Sequence, residues 1–416
     1  MAFTSFSLDP SLLKAISKSS YNEPTEIQKQ SIPLILAKHD VMARAQTGTG
    51  KTAAFALPIL QNLLLTKPAK TELRVLVLTP TRELAQQVYK SFCHYGEYTS
   101  INMGIAYGGV STKQQILDIK QGIDVLIATP GRLLDLLHTK SVSLDKINVL
   151  VFDEADRMLD MGFKDEIERI TQQLPKTKQT LLFSATFADE IYRMSKNMLI
   201  NPKIIEIDEK NKAAEDVEQL VYGVDADRKR ELTSFLIGSK NWKQVLVFTR
   251  TKQCADDLAK EMTKDGVKSV AIHGDKSQGA REKALLEFKE GKVRALIATD
   301  VAARGIDIKG LAHVINYELP YNAEDYVHRI GRTARAGNSG LAVSLVSVDE
   351  EWLLTAIEEL LDIRLLQQWL PGYEPDLTKN LKSVKRSINK KNARKDALSG
   401  GAKTKARKPN TRNRRG

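Results

Sequence analysis

Cysteine, aromatic residues and long apolar runs are all scarce in this chain. The two cysteines, Cys93 and Cys254, lie 161 residues apart without Cys-x-x-Cys spacing or clustered histidines. A disulfide framework and a zinc site are therefore not indicated, and both thiols are expected to be structural and buried.

No stretch reaches the roughly 18 consecutive apolar residues that a membrane helix needs. Residues 1–6 contain neither a basic nor an apolar targeting region, so the sequence predicts a cytoplasmic protein without membrane association.

The positive charge is concentrated at one end of the chain. Residues 377–416 contain fifteen Lys or Arg and one acid, Asp396, which gives +14, whereas the whole chain carries +12. No aromatic residue follows Tyr373, so this segment cannot bury a core, and we predict a disordered basic tail. Two interpretations stay open. The tail either only improves solubility or acts as a mobile arm that attracts polyanions through counterion release.

Short β-rich runs alternate with helix-length segments through most of the chain. The predicted strands are 40–45, 74–79, 124–129, 148–152 and 179–183 in the first half, and 244–248, 269–272, 294–299, 313–316 and 341–346 in the second. This alternation is typical of βαβ units, and it predicts an α/β fold with two parallel-sheet domains. Residues 208–216 are polar and charged and lack strand formers, which favours a short flexible linker.

These boundaries divide the chain into four parts. We predict a first domain at 1–207, the linker at 208–216, a second domain at 217–370 and the basic tail at 371–416. An amphipathic helix is expected from about Val348 to Leu361, and a second short helix around Leu365 to Trp369.

A glycine-rich loop follows the first predicted strand. Residues 45–52 read Ala-Gln-Thr-Gly-Thr-Gly-Lys-Thr, and the two glycines allow backbone N–H groups to approach phosphate oxygens at a helix start. Lys51 would reach the β and γ phosphates, and the Thr52 hydroxyl would face Mg²⁺. The strict pattern has glycine where Ala45 stands. The loop residues expected to contact nucleotide are Thr47, Gly48, Thr49, Gly50, Lys51 and Thr52.

A group of acids follows another apolar run. Asp153-Glu154-Ala155-Asp156 comes directly after residues 147–152, at the exit of a predicted buried strand. Asp153 would hold the water shell of Mg²⁺ opposite Thr52, and Glu154 would orient and deprotonate water. A glycine-rich turn without a ligand is the alternative for the loop alone. The loop and the acids together predict hydrolysis of a nucleoside triphosphate.

A basic string from His328 to Arg335 occurs in the second predicted domain. Arg332 and Arg335 are three residues apart, so on a helix they share a face and suit a γ-phosphate. Arginine placed against the charge that develops in phosphoryl transfer is worth about 10³- to 10⁵-fold in rate. Because these arginines would come from the opposite domain, hydrolysis would require the domains to close. A solvated basic helix face is the alternative.

These motifs resemble those of the DEAD-box RNA helicases, and most closely the bacterial RhlE type. Further matching segments are Pro80-Thr81-Arg82-Glu83-Leu84, Gly108-Gly109, Thr129-Pro130-Gly131-Arg132, Ser184-Ala185-Thr186, Gln278 with Arg281, and residues 302–307. The resemblance covers roughly residues 1–370. It implies two tandem RecA-like domains, ATP and Mg²⁺ as cofactors, and RNA as the partner.

Residues 21–28 resemble the adenine-reading element of this family. By resemblance, Gln28 bonds the base edge and the upstream aromatic residue, Phe3, stacks nearby, whereas Glu26 stands where proline is commoner. An amide side chain can donate to and accept from adenine at once, so ATP should be preferred over GTP.

The resemblance also implies how hydrolysis is coupled to domain closure. Ser184 and Thr186 would bond the acidic motif that ends at Asp156, although a helix cap is another reading of these two side chains. Asp307 would touch the ribose. His328 would help to align the group that activates water.

By resemblance, residues of both domains line the sugar-phosphate backbone of one RNA strand. They are Thr81, Arg82, Gly109, Thr129, Gly131 and Arg132 from the first domain, and Arg250, Gly274, Gln278, Arg281 and Thr299 from the second. Such contacts position a strand without reading its bases, and they can sense 2′-hydroxyls, so low sequence specificity is expected.

The sequence thus predicts an ATP-dependent RNA helicase that unwinds duplexes locally. An RNA clamp or scaffold that uses ATP as a latch is the main alternative. A DNA-directed translocase on the same two-domain scaffold is disfavoured by the Asp-Glu-Ala-Asp spelling and by the element around Gln28.

Overall fold

The computed structural model describes residues 2–19, 23–45, 48–66, 71–207, 217–303, 308, 311–333 and 340–376. The predicted linker at 208–216 and the basic tail from 377 onward lie outside the described residues. Thr47, Asp307 and Arg335 lie outside them as well.

The first domain is built on a seven-stranded parallel sheet. Its strands are β1 (Val41–Arg44), β2 (Val75–Leu78), β3 (Met103–Ala106), β4 (Val125–Ala128), β5 (Val149–Asp153), β6 (Gln179–Ser184) and β7 (Lys203–Glu206). Its helices are α1 (Pro10–Ser17), α2 (Glu26–Leu36), α3 (Lys51–Leu65), α4 (Arg82–Tyr95), α5 (Thr112–Lys120), α6 (Pro130–His138), α7 (Ala155–Asp160), α8 (Lys164–Thr171) and α9 (Asp189–Met198). The spatial order of the strands is β3-β4-β2-β5-β6-β1-β7.

The second domain repeats this topology. Its strands are β8 (Val217–Gly223), β9 (Val245–Thr249), β10 (Ser269–Ile272), β11 (Ala295–Thr299), β12 (His313–Asn316), β13 (Gly340–Val346) and β14 (Gln367–Gln368). Its helices are α10 (Lys229–Ser239), α11 (Lys252–Lys264), α12 (Gln278–Lys289), α13 (Asp300–Ala303), α14 (Ala323–Ile330) and α15 (Glu351–Leu361). The order β10-β11-β9-β12-β13-β8-β14 is that of the first sheet, strand for strand.

The strands are apolar along their whole length because helices cover both faces of each sheet. Residues 75–78 and 125–128 are buried throughout, and β5 is buried up to and including Asp153. Helix α3 packs on one face of the first sheet, where the Phe55 and Phe183 rings lie 5.2 Å apart. Parallel strands bring all their carboxyl ends to one edge, so the residues that follow each strand gather there.

The predicted α/β fold with two parallel-sheet domains is confirmed, and each predicted strand run coincides with an observed strand. Sequence reasoning missed β3, β7, β8 and β14. The short helix predicted around Leu365 to Trp369 is wrong, because residues 367–368 pair with Val221 and Tyr222 as an edge strand. The helix expected at 348–361 is confirmed as α15 with a preceding 3-10 turn.

Packing of the second domain continues past the predicted boundary at residue 370. The ring of Tyr373 lies 5.6 Å from that of Phe235 and beneath the guanidinium of Arg228. The backbone N–H of Asp376 donates to the carboxylate of Asp225. These contacts attach the chain up to residue 376 to the second domain.

The two cysteines lie in different domains, Cys93 in α4 and Cys254 in α11, and both are half-buried rather than fully buried. Burial raises the pKa of both thiols, that of Cys254 to about 12, so both are protonated at neutral pH.

Within the described parts of the chain, no helix has the length and hydrophobicity needed to cross a membrane. The cytoplasmic location stays a prediction.

Candidate active site and nucleic-acid interface

The glycine-rich loop lies at the carboxyl end of β1 and leads into α3. Gly48 and Gly50 adopt φ angles of 93° and 94°, in the region that favours glycine. Lys51 is the first residue of α3, and its buried Nζ donates to the carbonyl oxygen of Ala45 at 2.8 Å. Thr52 follows on the same helix and is half-buried. The described residues of the loop therefore place a helix N-terminus beside an ammonium group, which suits phosphate.

Gln28 connects the predicted adenine-reading element to this loop. Its side chain is 2% exposed, its Oε1 accepts from the backbone N–H of Thr25 at 3.0 Å, and its Nε2 donates to the carbonyl of Gly50 at 3.1 Å. Each amide atom keeps capacity for one further hydrogen bond. Phe3 is buried with Phe6, with ring centroids 6.3 Å apart in an edge-to-face arrangement. The adenine contacts of Gln28 and Phe3 stay predictions.

Asp153 ends β5, two strands from β1 in the sheet, and is 2% exposed. Burial raises its pKa to about 7; Lys51 opposes this shift and the charge of Glu154 adds to it. Its Oδ1 is buried without a hydrogen-bond partner among the described residues. Such an oxygen needs a donor or a cation, so the residues fit a hydrated Mg²⁺. The described chain has no group of three His, Cys, Asp or Glu that could hold a metal, so water and phosphate would complete the coordination.

Glu154 occupies a strained position between β5 and α7. Its φ and ψ of 56° and 54° are left-handed, which is uncommon for a residue with a Cβ, and its side chain is buried. Strain of this kind clusters at functional sites, where the surrounding fold maintains it. The turn places Glu154 between the last residue of β5 and the first residue of α7.

The acidic motif is linked to the segment after β6. Asp156 Oδ2 accepts from the backbone N–H of Ala185 at 3.2 Å. The N–H of Thr186 donates to Ser184 Oγ at 3.4 Å, and Ser184 is fully buried. Thus the backbone N–H of Ala185, between the two predicted residues, bonds the acidic motif, and the coupling roles of Ser184 and Thr186 stay predictions.

In the second domain, α14 carries His328, and the buried Arg332 follows it. The intervening Arg329 has a different environment. Its Nε and Nη2 donate to the two carboxylate oxygens of Asp300 at 2.6 and 2.7 Å, and its Nη1 donates to the Glu318 carbonyl at 2.6 Å. Arg329 therefore fixes α14 to the carboxyl edge of the second sheet. No local signal separates Arg329 from Arg332, so sequence reasoning missed this role.

The two domains contact each other through at least two pairs of charged side chains. Arg157 Nη1 donates to Asp325 Oδ1 at 2.9 Å, which holds α7 against α14. In a second contact, Arg281 Nη2 lies 2.7 Å from Glu83 Oε2, and both side chains are buried. Sequence reasoning did not assign a role to Arg157, Asp325 or Glu83. The contact of Arg157 with Asp325 brings α14, which carries His328, against α7, which begins directly after Glu154.

In the first domain, the residues predicted to contact RNA lie after three adjacent strands, β3, β4 and β2. Thr81 caps α4, accepting at Oγ1 from the N–H of Leu84. Gly109 has a φ of 81°, and a Cβ there would lie 1.9 Å from Arg82 Nη1, so the guanidinium rests against the glycine. Thr129 occupies the N-cap of α6. Around Gly131 there is open space.

Arg132 is engaged inside the first domain. Its Nη1 donates to Gln115 Oε1 at 2.7 Å and its Nη2 to the Val110 carbonyl at 2.9 Å. Burial lowers its pKa. The guanidinium therefore supports the loop that contains Gly109, and its contact with RNA stays a prediction.

The second domain presents the equivalent strand ends. Gly274 follows β10, Thr299 ends β11 and Arg250 follows β9. Thr249 Oγ1 donates to the Thr251 carbonyl at 3.3 Å, as Thr79 Oγ1 does to the Thr81 carbonyl at 3.5 Å in the first domain. The duplicated fold thus presents the same local structure twice.

Arg250 is held by carboxylates of its own domain. Its Nη2 lies 3.1 Å from Glu318 Oε1 and 2.9 Å from Glu350 Oε1, and its guanidinium lies 4.9 Å from the Tyr321 ring centroid. The buried Lys229 pairs with the other oxygen of Glu350. This network fixes the guanidinium in place.

Gln278 and Arg281 lie at the contact between the domains. Both are buried, and Gln278 Nε2 donates to Glu83 Oε1 at 3.4 Å beside the Arg281 pair. Glu83 directly follows Thr81 and Arg82. The interdomain contact therefore joins the strand-end residues of the two sheets into one surface.

Comparisons with known proteins agree with this arrangement. The family model for DEAD/DEAH box helicases matches residues 25–194, and that for the helicase conserved C-terminal domain matches residues 227–337. The chain is 43% identical over 377 residues to the ATP-dependent RNA helicase RhlB of Pseudomonas aeruginosa, covering 89% of this chain and 95% of RhlB. It is 40% identical over 359 residues to the DEAD-box ATP-dependent RNA helicase CshA of Bacillus subtilis, covering 86% and 72%.

Among solved structures, the fold is similar to that of S. cerevisiae Dbp5 bound to RNA and ADP BeF3. The TM-score is 0.80 at 32% identity, and the match covers 94% of this chain and 99% of Dbp5. These comparisons bear out the family and leave the RhlE type as a prediction. The chain belongs to the DEAD-box family of ATP-dependent RNA helicases.

Proposed function

We propose that this protein is an RNA-stimulated ATPase that locally unwinds or remodels short RNA duplexes and RNA–protein complexes. The observation that carries the proposal is the position of α14 against α7, fixed by the contact between Asp325 and Arg157 at 2.9 Å. Through it, the helix that carries His328 meets the helix that starts beside Glu154. Assignment to the RhlE type rests on motif spelling.

In the proposed mechanism, Gln28 and Phe3 bind adenine, and the loop amides and Lys51 bind the phosphates. Bound Mg²⁺ would supply positive charge at the β and γ phosphate oxygens, held by Thr52 and Asp153 mainly through water. Glu154 orients water and takes its proton.

The second domain completes the site in this mechanism. Arg332 and Arg335 stabilise the charge on the transferred phosphoryl group, and His328 aligns the group that activates water. Asp307 contacts the ribose. Ser184, Thr186 and Asp156 transmit the state of the nucleotide to the contact between the domains.

RNA binding couples to ATP because both span the same two domains. Backbone N–H groups and hydroxyls at the strand ends contact the sugar-phosphate backbone, so binding has little sequence specificity. Closure bends the strand out of duplex geometry. Only a higher affinity of the closed state for the bent single strand can offset the lost stacking, so ATP and RNA should strengthen each other's binding.

Glu154→Gln tests the catalytic assignment. The variant should bind ATP, lose about 10²-fold or more in turnover because its base is absent, and release RNA more slowly. ATP hydrolysis and RNA dissociation are measured beside Glu168→Gln, the same change on the exposed surface of α8. Normal hydrolysis by Glu154→Gln would remove Glu154 from its role.

Strand displacement on a short RNA duplex with an overhang tests the helicase activity. ATP-dependent RNA binding without displacement would favour an ATP-latched RNA clamp. ATPase stimulation by single-stranded DNA equal to that by RNA would instead favour a DNA-directed translocase.

A further inference from the structure

Arg157 joins the two domains from a position outside the residues assigned to nucleotide or RNA. It lies on α7, directly after Asp156. Its Nη1 lies 3.0 Å from Asp160 Oδ2 in the same helix and 2.9 Å from Asp325 Oδ1 in α14. The side chains of Arg157 and Asp325 are 5% and 14% exposed. This contact is therefore buried, unlike an ordinary surface ion pair.

Arg157 is the cation at the centre of a group of carboxylates from both domains. Asp156 and Asp160 belong to the first domain, and Glu324 and Asp325 to the second. Burial would lower the pKa of Arg157, but the charges of Asp156, Asp325 and Asp160 raise it. Burial raises the pKa of Glu324, an effect that Arg157 opposes and the other acids reinforce. Without the guanidinium, carboxylates of the two domains would repel each other across the contact.

The helices that this pair joins carry the two halves of the proposed catalytic site. Helix α7 begins directly after Glu154. Asp325 precedes His328 by three residues on α14, so the two share a helix face. A bond between Arg157 and Asp325 thus fixes the position of the basic string relative to the water-activating group.

We propose that Arg157 and Asp325 form an interdomain latch that positions the second domain's basic string over the nucleotide when the domains close. The proposal rests on the proposed function, because it assumes that ATP and RNA stabilise the closed arrangement. Arg157 and Asp325 are positioning residues: they hold α7 and α14 together and act through Glu154 and His328.

Removing one partner breaks the contact of Arg157 with Asp325 between α7 and α14, and Arg157 keeps only the carboxylates of its own domain, such as Asp160. This loss arises only in the closed state, where the two helices meet. RNA tightens nucleotide binding by a certain factor, and we expect the loss of the pair to reduce that factor by about 10- to 100-fold. In the open state both side chains are hydrated, so nucleotide affinity without RNA should not change.

The experiment uses the full chain with the substitutions Asp325→Asn, Arg157→Gln and both together. Affinity for a fluorescent non-hydrolysable ATP analogue is measured with and without a single-stranded RNA. The control is Arg230→Gln, which removes an Arg–Asp pair with Asp265 at 2.6 Å inside the second domain. We expect Asp325→Asn to lose the enhancement by RNA, the control to keep it, and the double variant to be no worse than Arg157→Gln alone.

The outcomes separate the latch from the proposed function. If the unaltered protein shows no enhancement by RNA, the proposed function fails. If it shows enhancement and Asp325→Asn retains it fully, the latch is wrong and the proposed function stands. Additive losses in the double variant would also overturn the pairing. The melting temperatures of Asp325→Asn and of the control Arg230→Gln are compared as well. A melting temperature lowered in Asp325→Asn but not in the control would assign Asp325 a structural role and overturn the positioning role.

Discussion

Replacing Gly50 by alanine should disconnect the phosphate loop from Gln28. Gly50 has a φ of 94°, and a Cβ at this position would lie 2.4 Å from Gln28 Nε2 and 3.2 Å from Thr25 Oγ1. Gln28 is buried and bonded at both amide atoms, so it cannot move aside without breaking its bonds to Thr25 and Gly50. Alanine therefore makes the loop conformation unfavourable in two independent ways.

The magnitude follows from these two contributions. A left-handed backbone costs a residue with a Cβ about 1 to 2 kcal/mol, and loss of the two Gln28 hydrogen bonds costs about 0.5 to 1.5 kcal/mol each. The sum of about 2 to 5 kcal/mol must be supplied when the loop closes on phosphate. Since about 1.4 kcal/mol corresponds to tenfold, ATP affinity should fall by between about 30-fold and a few thousandfold.

The assay is equilibrium binding of a fluorescent ATP analogue to Gly50→Ala and to a matched control. Gly162 has a φ of 82°, and a Cβ there would meet nothing within 4 Å. Gly162→Ala therefore has the backbone cost alone, outside the phosphate loop. It should lower the melting temperature of the first domain and leave ATP affinity unchanged.

Wild-type ATP affinity in Gly50→Ala would refute this reasoning. It would mean that the contact between Gln28 and the loop is absent from the conformation that binds ATP. An equal loss of affinity in both variants would attribute the effect to backbone strain and general destabilisation.

Two further predictions concern the second domain and the tail. His313 stacks on Trp242 with centroids 4.2 Å apart, and burial, with a contribution from Lys240, lowers its pKa. A lowered folded-state pKa means that its contribution to stability is complete above the unfolded value of about 6.5 and is lost as the pH falls through the folded value. Melting of the protein between about pH 7 and 5 should therefore show a fall in stability that His313→Phe reduces, and an unchanged pH dependence would contradict the prediction. Truncation after Asp376 removes a net charge of +14, so RNA binding should weaken and its salt dependence should decrease. An unchanged salt slope would leave the tail with a role in solubility only.

Sequence alone determined the two-domain α/β fold and the motifs at the strand ends. Apolar runs such as 75–78 and 149–152 are typical of strands that are buried on both faces of a sheet. Such runs are contiguous in the chain, so the sequence shows them directly. The loop at Gly48 to Lys51 and the acids from Asp153 are likewise contiguous segments whose spacing is set by a strand and a turn. Two of the missed strands lie at sheet edges: β14 is two exposed residues and β7 is largely exposed. Neither pattern differs from that of a loop.

Tertiary structure alone decided the pairing of the charged residues. Arg157 and Asp325 are 168 residues apart, and Glu83 and Arg281 lie on helices of different domains, yet each pair meets within 3 Å. In the string from His328 to Arg332, Arg329 is fixed to Asp300 inside its own domain. A charged side chain gives the same local signal whether it faces solvent, a ligand or a partner from a distant segment. Its role is set by the packing of elements far apart in the chain, which periodicity and spacing do not encode.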